Sequence, residues 1–198
     1  MRRFLAGRQR RNPEPEENRE RNVGSAAGPA LYVPRSILAE THQHLVPYRK
    51  ARVETACFWF GVEAGDDGVV TTLALPRLLQ TAGNYRIVRG SLRRLSKEMR
   101  SQGLTNLAQV HTHPKRWVGH SPYDDEHAYS TREGSLSLVW PDYGLALTHD
   151  LAGIGVHERR NGRWARLSDE QVGWRIRIVD SVSDQRWEIE GGDLEDEE

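Results

Sequence analysis

The sequence predicts a single mixed α/β domain of the α+β type, a mixed and curved sheet packed between helices. Three observations predict it. Segments with helical spacing alternate with runs of β-branched and aromatic residues, and no internal repeat is present. Glycine-containing turns join some of those runs as hairpins. A length of 198 residues suffices for one well-filled core and is short for two.

The elements follow in chain order. Residues 1–28 are rich in Arg, Glu, Asn, Pro and Gly with few large apolar side chains, too little to offset chain entropy, so a disordered basic arm is expected there. The folded domain is expected over residues 29–182. Ile37, Leu38, Thr41 and Leu45 have helical spacing after Pro34-Arg35-Ser36, which predicts a helix capped by Ser36 and stopped at Pro47. Two strand-type runs, 52–61 and 69–75, flank Gly65-Asp66-Asp67-Gly68 and read as a hairpin. Leu92, Leu95 and Met99 share one face of a predicted helix over 91–102, with Arg93, Arg94, Lys97 and Arg100 elsewhere on it as a solvated face and Gly103 as its stop.

A strand over 106–113, a helix from Pro122 to about Thr131 and a strand over 136–140 come next. Asn161-Gly162 marks another hairpin, and Trp174, Ile176 and Ile178 alternate as a last strand. Residues 183–198 are expected to be an acidic solvated tail, since Trp187 to Glu198 carries acids and no bases.

Composition excludes several function classes. Lysine plus arginine equals aspartate plus glutamate at 28 each, so no bulk charge draws the chain to nucleic acid or anionic lipid. The single cysteine, Cys57, permits neither an internal disulfide nor a four-cysteine metal knuckle, and suits a reducing cytoplasm. Lying in an apolar run, Cys57 reads as a small hydrophobe rather than a nucleophile. The apolar start Phe4-Leu5-Ala6 ends at Gly7, short of a signal-peptide core, and no stretch reaches the roughly 20 apolar residues of a membrane span.

The segment from His111 to Asp124 reads H-x-H-x7-S-x2-D. Residues two apart on a strand point to the same side, so His111 and His113 present both imidazoles to one point. Pro114 ends that strand, and Ser121-Pro122 starts a helix that puts Asp124 in its first turn. Two imidazoles and one carboxylate form the three-ligand set of a catalytic zinc, with a fourth position for water. A proton acceptor is still required, and Glu54, at the start of the apolar strand, is the candidate. Taken alone, Ser121-Pro122-Tyr123-Asp124 is also an ordinary capping box, and a histidine pair on a strand is often structural. The joint pattern arises by chance on the order of once in a thousand such chains.

The pattern resembles the JAMM motif of the JAB/MPN metallopeptidases, in which an upstream glutamate on a strand is paired with H-x-H-P, a loop and S-x-x-D. Its stand-alone bacterial and archaeal members, related to deubiquitinating enzymes, are the most similar, and the likeness spans roughly residues 31–160. The resemblance implies a JAB/MPN sandwich of the cytidine-deaminase-like kind. It implies that His111, His113 and Asp124 bind one Zn2+ ion, that Glu54 activates water, and that Ser121 steadies the oxyanion. Ala56-Cys57 stands where the family usually has a glycine pair.

The implied activity is hydrolysis of a peptide or isopeptide bond at the C-terminus of a ubiquitin-like protein, with the conjugates, and E1-like and E2-like proteins of one pathway, as partners. Nucleic acid and membrane are not expected. Release of an amino acid from a carrier protein, and a non-catalytic zinc-stabilised interaction module, are the alternatives. Zinc nucleobase deamination needs P-C-x-x-C, which one cysteine cannot supply. His120 is expected to be solvated, Trp117 either to touch substrate or to pack half-buried, and an extended substrate tail to pair with a sheet edge near residues 73–90.

Overall fold

The computed structural model describes residues 29–145 and 150–183. The arm expected over 1–28 lies outside the described residues, as does the acidic tail from 184 onward. The described chain runs β1 (Leu31–Pro34), α1 (Arg35–Ala51), β2 (Ala56–Ala64), β3 (Asp67–Ala74), β4 (Leu78–Thr81), β5 (Asn84–Ile87), α2 (Ser91–Ser101), β6 (Thr105–Thr112), α3 (Pro122–Glu126), β7 (Leu136–Trp140), β8 (Gly155–Arg160), β9 (Arg163–Arg166), α4 (Asp169–Arg175) and β10 (Ile176–Val179). Eight strands form one mixed sheet in the order β10-β1-β3-β2-β6-β7-β8-β9, and β4 and β5 form a separate antiparallel ribbon. β1 is parallel to both its neighbours and β6 is parallel to β7; the other pairs are antiparallel. This is the α+β architecture that the alternating pattern predicts.

β2 lies inside the sheet and shows why both faces need cover. Residues 56–61 are all buried, so this stretch reads as a continuous apolar run rather than an alternating one. Cys57 and Trp59 pack with Ile37, Leu38 and Leu45 of α1 on one face. Phe58 and Phe60 pack with Leu92, Leu95 and Met99 of α2 on the other. Trp59 donates its indole N–H to Thr41 Oγ1 (3.0 Å), and Thr41 donates to the Ile37 carbonyl (2.7 Å), so the polar groups of this core are paired. Burying a side chain like Phe58 contributes roughly 1.5–3 kcal/mol.

Several expectations need correction. Pro34, not Ser36, is the N-cap residue of α1, and no side chain caps it. The helix runs through Pro47 to Ala51. Pro47 forfeits one backbone bond, but buried Leu45 anchors the turn before it. After it, left-handed Arg52 closes the helix, with amide bonds from Arg52 to the Arg49 carbonyl and from Val53 to the Tyr48 carbonyl. β2 therefore starts at Ala56 rather than at residue 52.

α3 ends at Glu126, about a turn and a half short of the expected end, because Tyr129 turns inward. Its ring meets Phe58 edge-on and its hydroxyl donates to the Leu136 carbonyl (2.9 Å). Trp174 belongs to α4, not to a strand. Ser168 and Gln171 close a capping box at the start of that helix, and only Ile176 and Ile178 lie on β10. The region 73–90 is an edge of the main sheet only in part: β1 pairs with β3 at Gly68 and Val69 alone, which leaves the 73–74 end of β3 open on that side, and residues 78–87 form the separate ribbon.

Candidate metal and active site

β6 sits between β2 and β7, with His111 opposite Ala56 on one side and Val139 on the other. His111 and His113 share the face opposite Val110 and Thr112. β6 ends at Thr112, yet the ladder gains one further bond, from the His113 amide to the Trp140 carbonyl (2.8 Å), before Pro114 stops it. The chain then loops back across the sheet over Gly155. A Cβ at Gly155 would stand 2.0 Å from the Val118 carbonyl oxygen, so only glycine lets the loop lie this close.

That loop delivers Ser121 as the N-cap of α3. Asp124 Oδ2 accepts from the Ser121 amide and hydroxyl, both at 2.7 Å, and the Asp124 amide donates back to Ser121 Oγ at 3.2 Å. The capping box therefore forms, and it also aims the carboxylate. Asp124 Oδ1 lies 3.6 Å from His111 Nε2, and Oδ2 lies 3.3 Å from His113 Nε2. One ligand atom from each of the three residues falls within 4.8 Å of the other two.

The donor set fits a metal ion. Both ring nitrogens of His111 are buried without a hydrogen-bond partner among the described residues, an arrangement that costs free energy unless something else is bound. Burial pushes His111 down to about 3 against the pull of Asp124, so its ring is neutral, as a metal ligand must be. His113 Nδ1 lies 3.1 Å from the Trp117 carbonyl, which can only accept, so Nδ1 carries a proton and Nε2 is the nitrogen turned to Asp124. Burial works to lower His113, but the bond to Asp124 and its charge outweigh it and raise the imidazole above its ordinary value. Asp124 is likewise held well below the usual carboxylate range, because His113, His111 and Ser121 overcome its burial.

Glu54 lies two residues before β2, in the link after α1, not on a strand. The ribbon holds it there: its amide donates to the Thr81 carbonyl (2.9 Å), and Gln80 Nε2 donates to its carbonyl (3.1 Å). Burial raises its carboxyl to about 7, opposed by His113 and reinforced by Asp124. Glu54, His113, Ser121 and Asp124 all line one cleft of about 430 Å³, walled on one side by Gly83 and Asn84 and on the other by Lys115 and Trp117. A carboxyl that exchanges its proton near neutrality, beside a three-ligand cluster in an open cleft, is equipped for hydrolysis.

The minor candidates resolve differently. Cys57 points into the α1-side core, away from His111, and burial raises its thiol far above the ordinary value, leaving it inert. Trp117 is 55% exposed and stacks on His113 with 5.1 Å between centroids. His120 is not solvated. Its side chain is 6% exposed, held at Nδ1 by Asp125 (3.0 Å) and at Nε2 by Ser137 (3.0 Å), with its ring 4.2 Å from that of His157. Sequence reasoning missed Tyr85, whose hydroxyl bonds Gln109 and whose ring covers His111 with centroids 5.9 Å apart. It also missed the wall of the cleft, because neither short ribbon strand has a clear period.

No protein-family model matches the chain. Over 115 residues, 56% of this chain and 70% of the relative, it is 32% identical to a probable metalloprotease of Sinorhizobium fredii. Among solved structures, a Desulfitobacterium hafniense protein solved in solution superposes with a TM-score of 0.54 at 17% identity, covering 77% of this chain and 94% of that one. A JAB1/MPN domain protein of Archaeoglobus fulgidus gives a TM-score of 0.41 at 16% identity, covering 77% and 100%. The chain belongs to the JAB/MPN metallopeptidase family, a membership that rests on the rhizobial relative together with the motif residues. It is thus a metal-dependent hydrolase of the metalloprotease type. Among the described residues no helix is long and apolar enough to cross a membrane.

Proposed function

We propose that this hydrolase is a zinc peptidase that cuts the peptide or isopeptide bond at the C-terminus of a ubiquitin-like protein. The observation that carries the reading is the convergence of Glu54, with its near-neutral carboxyl, on the His111, His113 and Asp124 cluster in one open cleft. Two nitrogens and one oxygen at a cleft wall suit zinc better than magnesium or calcium, which take mainly oxygen ligands. The ubiquitin-like substrate is inferred from the family resemblance; the open cleft bordered by Gly83 and Asn84 has room for an extended tail.

Held by His111 Nε2, His113 Nε2 and an Asp124 oxygen, zinc would polarise the scissile carbonyl and acidify a water. Glu54 takes the proton of the attacking water and hands it to the leaving nitrogen. Tyr85 and the neutral ring of His111 keep bulk water from the rear of the site. Ser121 has a conditional role: its hydroxyl proton lies on Asp124 Oδ2 in this structure, so donating to an oxyanion means giving up that bond, while the Ser121 amide still holds Asp124. The tail lies extended beside the ribbon, between Asn84 and the Trp117 loop.

The test is turnover of ubiquitin-like proteins carrying a C-terminal aminomethylcoumarin by the zinc-loaded chain, against an aminoacylated carrier protein. Cleavage confined to the ubiquitin-like probes, abolished in Glu54→Gln, is the expected result. Exclusive cleavage of the carrier probe, or activity that survives Glu54→Gln, overturns the reading.

A further inference from the structure

Residues 86–100 carry Arg86, Arg89, Arg93, Arg94, Lys97 and Arg100 against one acid, Glu98. All six cations are exposed, and none forms an ion pair among the described residues. Arg49, Arg52, Arg77, Arg163, Arg166 and Arg177 form no ion pair among the described residues either, so what sets this segment apart is the clustering of six cations against a single acid. Arg93, Lys97 and Arg100 recur at four and three residues and form one stripe along α2, facing away from Leu92, Leu95 and Met99. Glu98, the one acid of the segment, pairs with none of these cations among the described residues, and its carboxylate accepts from Gln102 Nε2 (3.1 Å) at the end of the helix.

This surface is continuous with the cleft. Asn84 lines the cleft wall, and Arg86, two residues on along β5 and so on the same side of the strand, lines the adjoining hollow with Tyr123 and Asp124. Arg89 bridges from there to α2. A polypeptide with its tail beside Asn84 meets Arg86 first, and the stripe then continues along α2 to Arg100, which lies beside Phe60 and Thr105 at the start of β6.

We propose that Arg86, Arg89, Arg93, Lys97 and Arg100 dock an acidic face of the folded body of the ubiquitin-like substrate, steering its tail into the cleft. The partner's class rests on the proposed function; the charge it must carry is read from the surface. Nucleic acid is the less fitting occupant, because a nucleic-acid-binding domain is usually strongly basic as a whole, whereas residues 29–182 carry 20 lysines and arginines against 16 acids. A stripe of clustered cations on a domain of otherwise mixed charge suits a partner with a local acidic patch, for which complementarity speeds encounter and fixes orientation.

The experiment measures binding, not cleavage. The zinc-loaded Glu54→Gln chain is titrated by fluorescence anisotropy with a ubiquitin-like protein of strongly acidic surface, with a variant of it whose surface acids are amides, and with a duplex DNA. The acidic protein should bind best, and raising NaCl from about 50 to about 300 mM should weaken it at least about tenfold. Adding R93E, K97E and R100E together should weaken it by about tenfold or more, and the corresponding glutamine changes by less, with unchanged melting curves showing the fold intact. No binding of the acidic protein, equal binding of its amide variant, unaltered affinity after charge reversal, or preference for the DNA would each overturn the proposal. If binding behaves as expected but the wild-type chain cleaves no ubiquitin-like probe, the proposed function fails and the docking surface stands.

Discussion

Ser121 and Asp124 hold each other by three hydrogen bonds, at 2.7, 2.7 and 3.2 Å, and Asp124 Oδ1 is left without a donor among the described residues, 3.6 Å from His111 Nε2. The helix cap and the proposed metal ligand are therefore one device. Ser121→Ala removes the hydroxyl donor to Oδ2 and the acceptor for the Asp124 amide. The expected result is a loss of about 1 kcal/mol in urea denaturation and a 10- to 100-fold loss of zinc affinity by competition with a chelator. A loss of stability with unaltered zinc affinity would show the cap to be structural only.

Glu54→Gln keeps the shape of the cleft wall and its backbone bonds to Thr81 and Gln80, and removes the proton acceptor. Activity should fall by about 10²–10⁴-fold, while zinc content by plasma emission stays at the wild-type level. His113→Ala should do the reverse in the metal assay, losing zinc and activity together.

Metal removal should change how stability depends on pH. In the metal-free chain His113 is raised above its ordinary value of 6.5, so the stability it contributes is complete below that value and is lost as pH rises through the raised one. Glu54, raised from 4.5 to about 7, acts in the same direction, since its buried carboxyl must ionise across that interval. Asp124, depressed from 3.8, contributes stability above that value that is lost as pH falls through its lowered one. Buried His111 and His157, both lowered from 6.5 to about 3, act oppositely and cost stability as pH falls below 6.5, so the metal-free melting temperature should peak near about pH 6.5 and decline toward pH 8. Zinc, which displaces the proton from His113, should raise it more at pH 8 than at pH 5.5. An equal zinc effect at both values would remove His113 as a ligand.

Gly155→Ala probes the loop that carries Ser121. A methyl group placed 2.0 Å from the Val118 oxygen forces the loop off the sheet. The expected cost is on the order of 1–3 kcal/mol, with a loss of zinc affinity even though no ligand is changed. Gly153→Ala, where φ is +77° but nothing lies within 4 Å, should cost stability without affecting the metal.

What could be read along the chain was short-range. The facing of His111 and His113, the cap at Ser121 that orients Asp124, the amphipathic α2 and the Asn161-Gly162 turn all depend on periods and spacings within about a dozen residues, which the sequence states directly. Even there, Pro47 and Tyr129 moved helix ends, because burial of Leu45 and Tyr129 overrode local signals. The remainder belongs to the tertiary structure. Glu54 reaches the cluster because Thr81 and Gln80 of an unforeseen ribbon hold it beside His113. The neutral ring of His111, the near-neutral carboxyl of Glu54 and the enclosed His120 all follow from desolvation by distant segments. Local spacing thus determined which side chains can bind a metal, whereas the register of the sheet and the packing against it decided which carboxyl meets them and at what pH it works.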